Sequence, residues 1–363
     1  MAKPGRRNRG SITIEDVARA AGVSAMTVSR VINQGGNVRD STRAAVLEAV
    51  KGLNYSPNAA ARMLAAGEAA HIGLLYANPS AAYLSQFLIG ALHAARSAGV
   101  HLVIEACESE DAEEQAEITR RLAASDVEGV VLPPPLSESV AILAELDAMQ
   151  IPVATVAMGS PRPESLNARI DDHAAAMEMT RHLLQLGHRA FGFIKGHPHH
   201  IASHDRFRGF CDVLAEARLD LQDVAIEQGY FSYRSGLIAG ERILSRAHPP
   251  TAIFASNDDM AAATISVAHR RGFNVPEDLS IVGFDDTALA TSVWPELTTI
   301  RQPISDMAEA ALELLIADLR CRRSGAAHKF AERVLSHALI IRESSGPPPE
   351  GRKSKARKSR KSS

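Results

Sequence analysis

Most of this chain alternates between short apolar runs of strand length and longer segments with the spacing of helices. The runs are IGLLYA (72–77), HLVIEA (101–106), VEGVVLP (127–133), PVATVAM (152–158), FGFIKG (191–196), AIFASND (252–258) and LSIVGFDD (279–286). Helical segments lie near 82–98, 112–124, 138–149, 174–187, 205–217, 233–246 and 259–271, and a last one follows Pro303 to about Arg323. Continuous apolar runs predict strands covered on both faces, and therefore parallel sheets. This α/β pattern fits either one barrel or two doubly wound subdomains, and periodicity does not distinguish them.

A different pattern precedes the α/β region. The segment from Thr13 to Asn33 predicts two short helices joined by a tight turn. Apolar residues recur at helical spacing until Gly22 interrupts them, and Ser24 occupies the position of an N-cap. The second helix, from Ala25 to about Asn33, is apolar on one face and carries small polar or cationic side chains on the others. Such a helix suits the major groove of DNA, although a surface hairpin of a larger domain has the same pattern.

Two further helices are predicted before the alternating region begins. Ser41 is placed to cap a third helix at about 42–53, and Pro57 permits a short alanine-rich helix at 58–65. The inward side chains predicted for the third helix are Ala45, Val46, Ala49 and Val50. The composition of residues 1–10 and 344–363 predicts disorder at both ends.

The formal net charge of −2 conceals an uneven distribution along the chain. The first 66 residues contain ten Lys or Arg and four Asp or Glu, and residues 345–363 contain seven and one. The residues between them are therefore strongly acidic, and the basic ends are expected to meet a polyanion. Three cysteines that form no C-x-x-C motif (Cys107, Cys211 and Cys321) argue against disulfides and zinc. Together with the lack of a secretory signal, they favour a cytoplasmic location.

Several short motifs, taken together, resemble the lac repressor/galactose repressor family of bacterial transcription regulators. They are the helical pair at 13–33, YSPN (55–58), NDDMA (257–261), VPEDLSIVGFDD (275–286) and LTTIRQP (297–303). The motifs follow the family's order, and the resemblance covers about residues 12–343. It implies a helix-turn-helix head, a short hinge helix and a two-subdomain Rossmann-like core of the periplasmic-binding-protein type.

The resemblance also implies where the domains begin and end. A disordered basic arm (1–11) precedes the DNA-binding domain (12–57), the hinge helix and linker (58–67), the effector-binding core (71–343) and a disordered basic tail (344–363). Within the core, the N-subdomain takes about 71–187 and 302–330, and the C-subdomain about 188–299 and 333–343. The chain would cross between them near Gly187–Arg189, Thr299–Gln302 and Phe330–Leu335.

By this resemblance, the second helix of the head reads DNA bases. Arg30 can donate two hydrogen bonds to guanine, a discrimination of about 1–3 kcal/mol, whereas Ala25 and Met26 can only contact a thymine methyl group. A place in the core of the head is the less favoured alternative for Met26. Phosphate or sugar contacts are predicted for Thr27, Ser29, Asn33, Thr42 and Tyr55, and Thr13 and Ser24 complete this DNA-binding set.

The resemblance identifies the helix at 58–65 as a hinge that orders only when two copies pair over the minor groove. It is too short to be stable alone in water. Leu64 matches a leucine that wedges between base pairs, Ala61 permits close approach, and Asn58 begins the helix. A homodimer on a near-palindromic operator is therefore expected, with Leu64 as a packing residue of a rigid linker the alternative.

The resemblance places an effector site in the cleft between the subdomains. The matching positions are Tyr83, Leu84, Asp171, Arg206, Phe231, Asn257, Asp258 and Asp285. Acidic, amide and guanidinium groups beside one or two rings suit a polyhydroxylated ligand, a sugar or sugar acid, whose binding would be linked to operator affinity. Arg206 and Asp285 can alternatively form a structural ion pair, and Asp172 and Asp286 are predicted to be loop or cap residues.

Other functions have less support in the sequence. No G-x-x-x-x-G-K-[ST], H-E-x-x-H or G-x-G-x-x-G motif occurs, so neither an enzyme nor a cofactor is predicted. The histidines of GHPHHIASH (196–204) suggest a metal, but a cleft rim or a solvated loop fits their irregular spacing better. A transport protein would need an export signal, and an architectural DNA binder would not need the acidic core. The tail can add nonspecific DNA affinity or merely solubility, and activation remains an alternative to repression.

Overall fold

The structure is a computed structural model that describes residues 14–32, 38–53, 70–159, 165–324 and 331–349. It divides into two compact units, Met1–Ala69 and Ala70–Ser363. The predictions for the arm, the hinge helix and residues 350–363 of the tail lie outside the described residues, as do those for Thr13, Asn33, Tyr55, Asn58, Ala61 and Leu64. The predicted disorder is wrong for residues 344–349, because Ser344 is buried and its hydroxyl donates to the carbonyl of Ile281 at 2.6 Å.

The first unit contains three short helices, α1 (Ile14–Ala21), α2 (Ala25–Ile32) and α3 (Asp40–Gly52). They enclose a small core of Val17, Ala18, Val28, Val31 and Val46. The amide of Thr27 donates to the hydroxyl of Ser24 at 3.2 Å, which confirms the predicted N-cap of α2. The two helices and the turn therefore form where the apolar spacing predicted them.

Two details of α3 differ from the prediction. The helix begins at Asp40, so Ser41 lies inside its first turn and cannot cap it, and Arg39 holds the cap position without a side-chain bond. Ala45 is exposed rather than inward, because the buried stripe is set by Val46 with Ala49, Val50 and Leu53 at helical spacing from it.

The second unit is built from twelve strands and eight α-helices among the described residues. The strands are β1 (His71–Tyr76), β2 (His101–Ala106), β3 (Val127–Leu132), β4 (Val153–Val156), β5 (Leu166–Arg169), β6 (Phe191–Lys195), β7 (Ala225–Gln228), β8 (Ala252–Ala255), β9 (Ser280–Val282), β10 (Thr299–Arg301), β11 (Ala331–Val334) and β12 (Ala338–Ile340). The helices are α4 (Ala81–Ala98), α5 (Ala112–Ala123), α6 (Val140–Ala148), α7 (Asp172–Gln185), α8 (Ile201–Glu216), α9 (Tyr233–Leu244), α10 (Asp258–Arg270) and α11 (Ile304–Ser324).

The strands form two separate parallel sheets, as the continuous apolar runs predicted. The first has the order β11-β5-β4-β3-β1-β2 and the second β7-β6-β8-β9. A two-stranded antiparallel sheet joins β10 to β12. The core is therefore a pair of doubly wound α/β subdomains and not a barrel.

The first subdomain comprises the six-stranded sheet with α4, α5, α6 and α11, and the second comprises the other strands with α7 to α10. Helix α7 packs against α8, β10 and β12, so the chain leaves the first sheet just after β5. The predicted crossing at Gly187–Arg189 would instead have placed α7 with the first subdomain. The last crossing follows β11, which pairs with β5 through Val334.

Side chains from the ends of these strands meet between the subdomains. In parallel α/β sheets the carboxyl ends of the strands open onto a crevice, and here the loops after β1, β3, β6, β7 and β8 reach it. Among the described residues, no helix is long and apolar enough to cross a membrane.

Candidate functional site

A cavity lies between the two subdomains and is lined by polar and aromatic side chains from both. Five of the eight predicted effector positions line it, namely Tyr83, Arg206, Phe231, Asn257 and Asp285. The other lining residues are Asn78, Pro79, Ser80, Pro134, Glu138, Ala157, His200, Ala202 and Gln302. A concave site with a few convergent polar groups is the usual form of a small-molecule site.

Arg206 is the cation at the centre of this cavity. Its Nε donates to Asp172 Oδ1 at 2.8 Å, its Nη1 donates to the carbonyl of Ser256 at 2.6 Å, and Nη1 lies 3.9 Å from Asp285 Oδ1. The guanidinium carbon stacks 3.7 Å from the ring centroid of Phe284. Since these contacts hold the guanidinium in one plane, it is preorganised to meet a ligand oxygen.

Asp285 faces Arg206 from a strained turn after β9. Its φ is 121°, a value that side chains with a Cβ rarely adopt, and it is kept there by hydrogen bonds to Ile300 and Gln302. Phe231 and Ala157 in the same cavity also have positive φ. Burial raises the pKa of Asp285 well above its usual range, against the opposing effect of Arg206. Strained residues that cluster at one cavity are typical of binding sites.

Three buried polar atoms that line the cavity have no hydrogen-bond partner among the described residues. They are the hydroxyl of Tyr83, Nε2 of His200 and Oε1 of Gln302. An unpaired buried polar group costs about 1–3 kcal/mol, so three in one place form a pattern that a polar ligand would satisfy.

His200 and Phe231 form a stacked pair at the wall of the cavity. Their ring centroids are 5.5 Å apart and the rings are inclined by 26°. Burial lowers the pKa of His200 to about 3, with smaller contributions from His197, Arg206 and His199. The imidazole is therefore neutral near pH 7 and can offer either a donor or an acceptor to a ligand.

The remaining predicted effector residues lie elsewhere. Leu84 is half-buried on α4 and does not line the cavity. Asp258 is buried and its carboxylate accepts hydrogen bonds from Thr287 and Thr299, the shortest at 2.7 Å. Burial raises the pKa of Asp258 to about 7. Its carboxylate is therefore occupied in holding the loop after β9.

The roles of two neighbouring aspartates are the reverse of the prediction. Asp171 is exposed and caps α7 by accepting from the amide of Ala174 at 2.9 Å. Asp172, predicted to be a loop or cap residue, is buried and holds Arg206. Asp286 is not a simple loop residue either, because it pairs with Arg301 and Arg342 at 2.6 Å each.

The sequence reasoning missed Glu138 and Gln302. Glu138 lies in a short helical turn (Leu136–Glu138) and accepts hydrogen bonds from the amides of Gly159 and Ile201, at 3.3 and 2.9 Å. Gln302 belongs to the LTTIRQP motif quoted for the family resemblance, so a signal for it existed. Glu138 carried no such signal, because its contact with Ile201 depends on the tertiary fold.

In the head, α2 presents the side chains expected at a DNA surface. Met26 is 66% exposed, so it is not part of the core, and Arg30 is exposed as well. Ala25 is half-buried against the core, Thr27 shares a 2.9 Å hydrogen bond with Ser24, and Thr42 is half-buried on α3. For Ser29 the structure describes only a place in α2.

The histidine-rich loop has ordinary hydrogen-bonding roles in the part of the chain that the structure describes. His197 lies 3.3 Å from Glu110, and Nε2 of His204 lies 2.6 Å from the carbonyl of Pro198. No group of three or more His, Cys, Asp or Glu side chains among the described residues is arranged to hold a metal ion.

Comparison with known proteins gives two family matches along the chain. Residues 13–58 match the bacterial regulatory proteins of the lacI family, and residues 180–345 match a periplasmic binding protein-like domain. The first match contains all three helices of the head and the second contains most of the second subdomain.

Individual proteins match over nearly the whole chain. Catabolite control protein A of Priestia megaterium is 33% identical over 308 residues, which is 84% of this chain and 92% of that protein. The solved complex of the transcriptional regulator CelR with cellobiose has a TM-score of 0.69 at 29% identity, and covers 92% of this chain and 100% of that one. The lac repressor dimer bound to operator and the anti-inducer ONPF has a TM-score of 0.68 at 27% identity, covering 93% and 100%.

The head, the two-subdomain core and these similarities lead to one assignment. The matches run from the helix-turn-helix through the core in a single order, and the proteins matched are transcriptional regulators rather than enzymes. The chain therefore belongs to the lacI family of bacterial regulatory proteins and is a DNA-binding transcriptional regulator with a ligand-binding core.

Proposed function

We propose that the protein is a repressor whose operator affinity is controlled by a sugar or sugar derivative bound between the core subdomains. The observation that carries this proposal is the convergence of unpaired atoms of Tyr83, His200 and Gln302 beside Arg206 in one buried cavity. The unpaired atoms of Tyr83, His200 and Gln302 include both donors and acceptors of hydrogen bonds. The hydroxyl groups of a sugar both donate and accept hydrogen bonds, so they can satisfy all three.

The cavity is suited to transmit ligand binding because, in the part of the core that the structure describes, few side chains bridge it. The hydroxyl of Ser80 donates to Asp259 at 2.6 Å, the carboxylate of Glu138 accepts from the backbone amide of Ile201, and the side-chain amide of Gln86 donates to the carbonyl of Asp286 at 3.4 Å. A ligand that contacts both subdomains adds to these bridges and favours the arrangement in which they are formed. Ligand binding is thereby linked to the relative position of the subdomains.

The DNA-bound form is a homodimer on a near-palindromic operator in this proposal. The lac repressor named above is a dimer bound to operator, which supports the same assembly here. The hinge residues Asn58, Ala61 and Leu64 would then meet across the minor groove, with Leu64 as the wedge. A regulator that must reach chromosomal DNA acts in the cytoplasm.

The test begins with an operator selected from random duplexes by the full-length protein. Fluorescence anisotropy then measures operator affinity with and without a panel of sugars, sugar acids and nucleosides, and gel filtration measures the oligomeric state. We expect a dimer that prefers the selected site over random duplex and changes its affinity with at least one ligand of the panel. A monomer, equal affinity for random duplex, or indifference to every ligand would contradict the proposal.

Arg30 and Arg19 offer a matched pair for the same assay. Both are exposed in the isolated chain, but Arg30 lies on α2 and Arg19 lies on α1, where it pairs with Asp16. Arg30→Ala should weaken operator binding by about 1–3 kcal/mol and relax the preference at one base position. Arg19→Ala should leave the base preference intact. Equal relaxation by both variants would remove Arg30 from base recognition.

A further inference from the structure

A second, larger cavity adjoins the effector cavity and is not used by the function proposed above. Its volume is about 720 Å³, within the range of small-molecule sites. It shares Asn78, Pro79, Glu138 and His200 with the inner cavity, so the two lie side by side. Its outer wall brings together His197 and Tyr230 of the second subdomain with acidic residues of the first.

A row of rings leads from the inner cavity to the outer one. Phe231 stacks on His200, the centroid of His200 lies 4.9 Å from that of His197, and His197 lies 5.6 Å from Tyr230. Rings provide apolar faces for the C–H faces of sugar rings, while imidazole and phenol groups at their edges form hydrogen bonds. This row of rings is longer than one sugar unit, so it can pack against a second unit as well.

The charges around both cavities disfavour an anion. Among the described lining residues, Arg206 supplies the positive charge, and it already contacts Asp172 and lies 3.9 Å from Asp285. Glu108 and Glu110 add acidic groups to the outer wall. A phosphate or carboxylate on the ligand would therefore meet excess negative charge.

From the adjacency of the two cavities, the row of rings and the charge of the lining residues, we infer that the effector is a neutral oligosaccharide with at least two sugar units. One unit occupies the inner cavity beside Arg206, and the next lies in the outer cavity against His197 and Tyr230. This inference depends on the proposed function and specifies its ligand. It assigns the histidine-rich loop to binding the second unit.

Titration calorimetry on the full-length dimer tests the inference with a panel of disaccharides, their constituent monosaccharides, and the corresponding sugar phosphates and sugar acids. We expect at least one disaccharide to bind about tenfold or more tightly than its monosaccharide. Binding of a monosaccharide as tightly as its disaccharide, tighter binding of an anionic analogue, or no binding of any saccharide would overturn the inference. In the last case, a response of operator affinity to a sugar acid or another sugar derivative would leave the proposed function intact.

Tyr230 and Tyr233 provide the matched variants. Both are similarly exposed, at 48% and 41%, but only Tyr230 lines the outer cavity. Tyr230→Ala should reduce the affinity for the disaccharide toward that for the monosaccharide without changing the latter, and Tyr233→Ala should change neither. An equal loss for both sugars in Tyr230→Ala, or no loss for either, would overturn the assignment of the outer cavity.

Discussion

Tyr83 shows how a single atom can favour binding at the expense of stability. Its side chain is buried and its hydroxyl has no partner among the described residues. Burial, with the nearby Asp285, raises the pKa of the phenol, so the hydroxyl stays protonated and can donate to a ligand. Without a ligand, the same unpaired hydroxyl costs free energy that a phenyl ring would not.

Tyr83→Phe should therefore have opposite effects on folding and on binding. We expect the free energy of unfolding without ligand to rise by about 1 kcal/mol, because an unpaired polar group is removed. Effector affinity should fall about tenfold, because the ligand loses one hydrogen bond. Urea denaturation and titration calorimetry measure the two effects. A loss of stability with unchanged affinity would show that the hydroxyl serves the fold.

His200 should make the protein sensitive to acid. In the unfolded chain His200 gains a proton near pH 6.5, whereas in the folded protein it gains one only near its pKa of about 3. The unfolded state therefore binds more protons between these values, and the free energy of unfolding decreases as the pH falls through this range. At pH 5 this loss amounts to about 2 kcal/mol relative to neutral pH. His200→Phe keeps a ring against Phe231 and should remove that part of the loss, measured by urea denaturation at pH 7.5 and pH 5.

The exposed His204 is the matched control for this prediction. His204→Gln should lose as much stability on acidification as the parent protein. If His200→Phe and the parent lose stability equally, the imidazole of His200 is not held neutral in the folded state.

At this scale the sequence predicted residue types better than their roles. Arg206, Phe231 and Asp285 line the cavity, as the family resemblance implied. Asp171 and Asp172 are adjacent and chemically identical, so only the rotation of α7 decides which caps the helix and which holds Arg206. Glu138 gained its role from a contact with Ile201, 63 positions away, which local sequence does not encode.

Among the helices, the contact between α4 and α11 fixes how the last helix returns to the first subdomain. Gly90 is buried in α4, and a Cβ built there would lie 2.1 Å from the carbonyl oxygen of Ser305. The hydroxyl of Ser305 also donates to the carbonyl of Gln86 at 2.8 Å. The absence of a side chain at Gly90 therefore lets the two helix backbones come into contact.

Gly90→Ala should force these helices apart. We expect a loss of about 1–3 kcal/mol in the free energy of unfolding, because the opposing atom is backbone and cannot rotate away. Ser97→Ala, on the exposed face of the same helix, should change stability by no more than about 0.5 kcal/mol. Urea denaturation of both variants tests this, and a Gly90→Ala protein as stable as the parent would show that α4 and α11 are not closely packed.

The helices and strands were largely predictable from the sequence, except for five short strands. All eleven α-helices in the described residues, and the seven strands with continuous apolar runs, lie where periodicity placed them to within a few residues. The strands β5, β7, β10, β11 and β12 were missed because each is short and none lies within a long apolar run like those that contain the equally short β4, β8 and β9. A run this short has no measurable period, and it becomes a strand only because a neighbouring strand offers it hydrogen bonds.

For the whole molecule, the central question is how a cavity in the core influences DNA contacts made by a separate unit. The two subdomains are linked by three crossings and by a few side-chain bridges such as Ser80 to Asp259. A ligand in the cavity can therefore change their relative position without unfolding either sheet. If the relative position of the subdomains governs whether the segment after the head can pair over DNA, the binding of effector and the binding of operator are coupled. This holds whether the effector raises or lowers operator affinity.

This coupling must be reciprocal, which gives a quantitative prediction for the intact dimer. The factor by which saturating effector changes operator affinity should equal the factor by which saturating operator changes effector affinity, typically about 5–150-fold. Anisotropy measures the first factor and titration calorimetry the second. A duplex of scrambled sequence is the control and should leave effector affinity nearly unchanged, because it lacks the symmetric site on which the paired segments order. Two unequal factors would mean that the assays report different oligomeric states, and two factors of one would mean that the cavity does not control DNA binding.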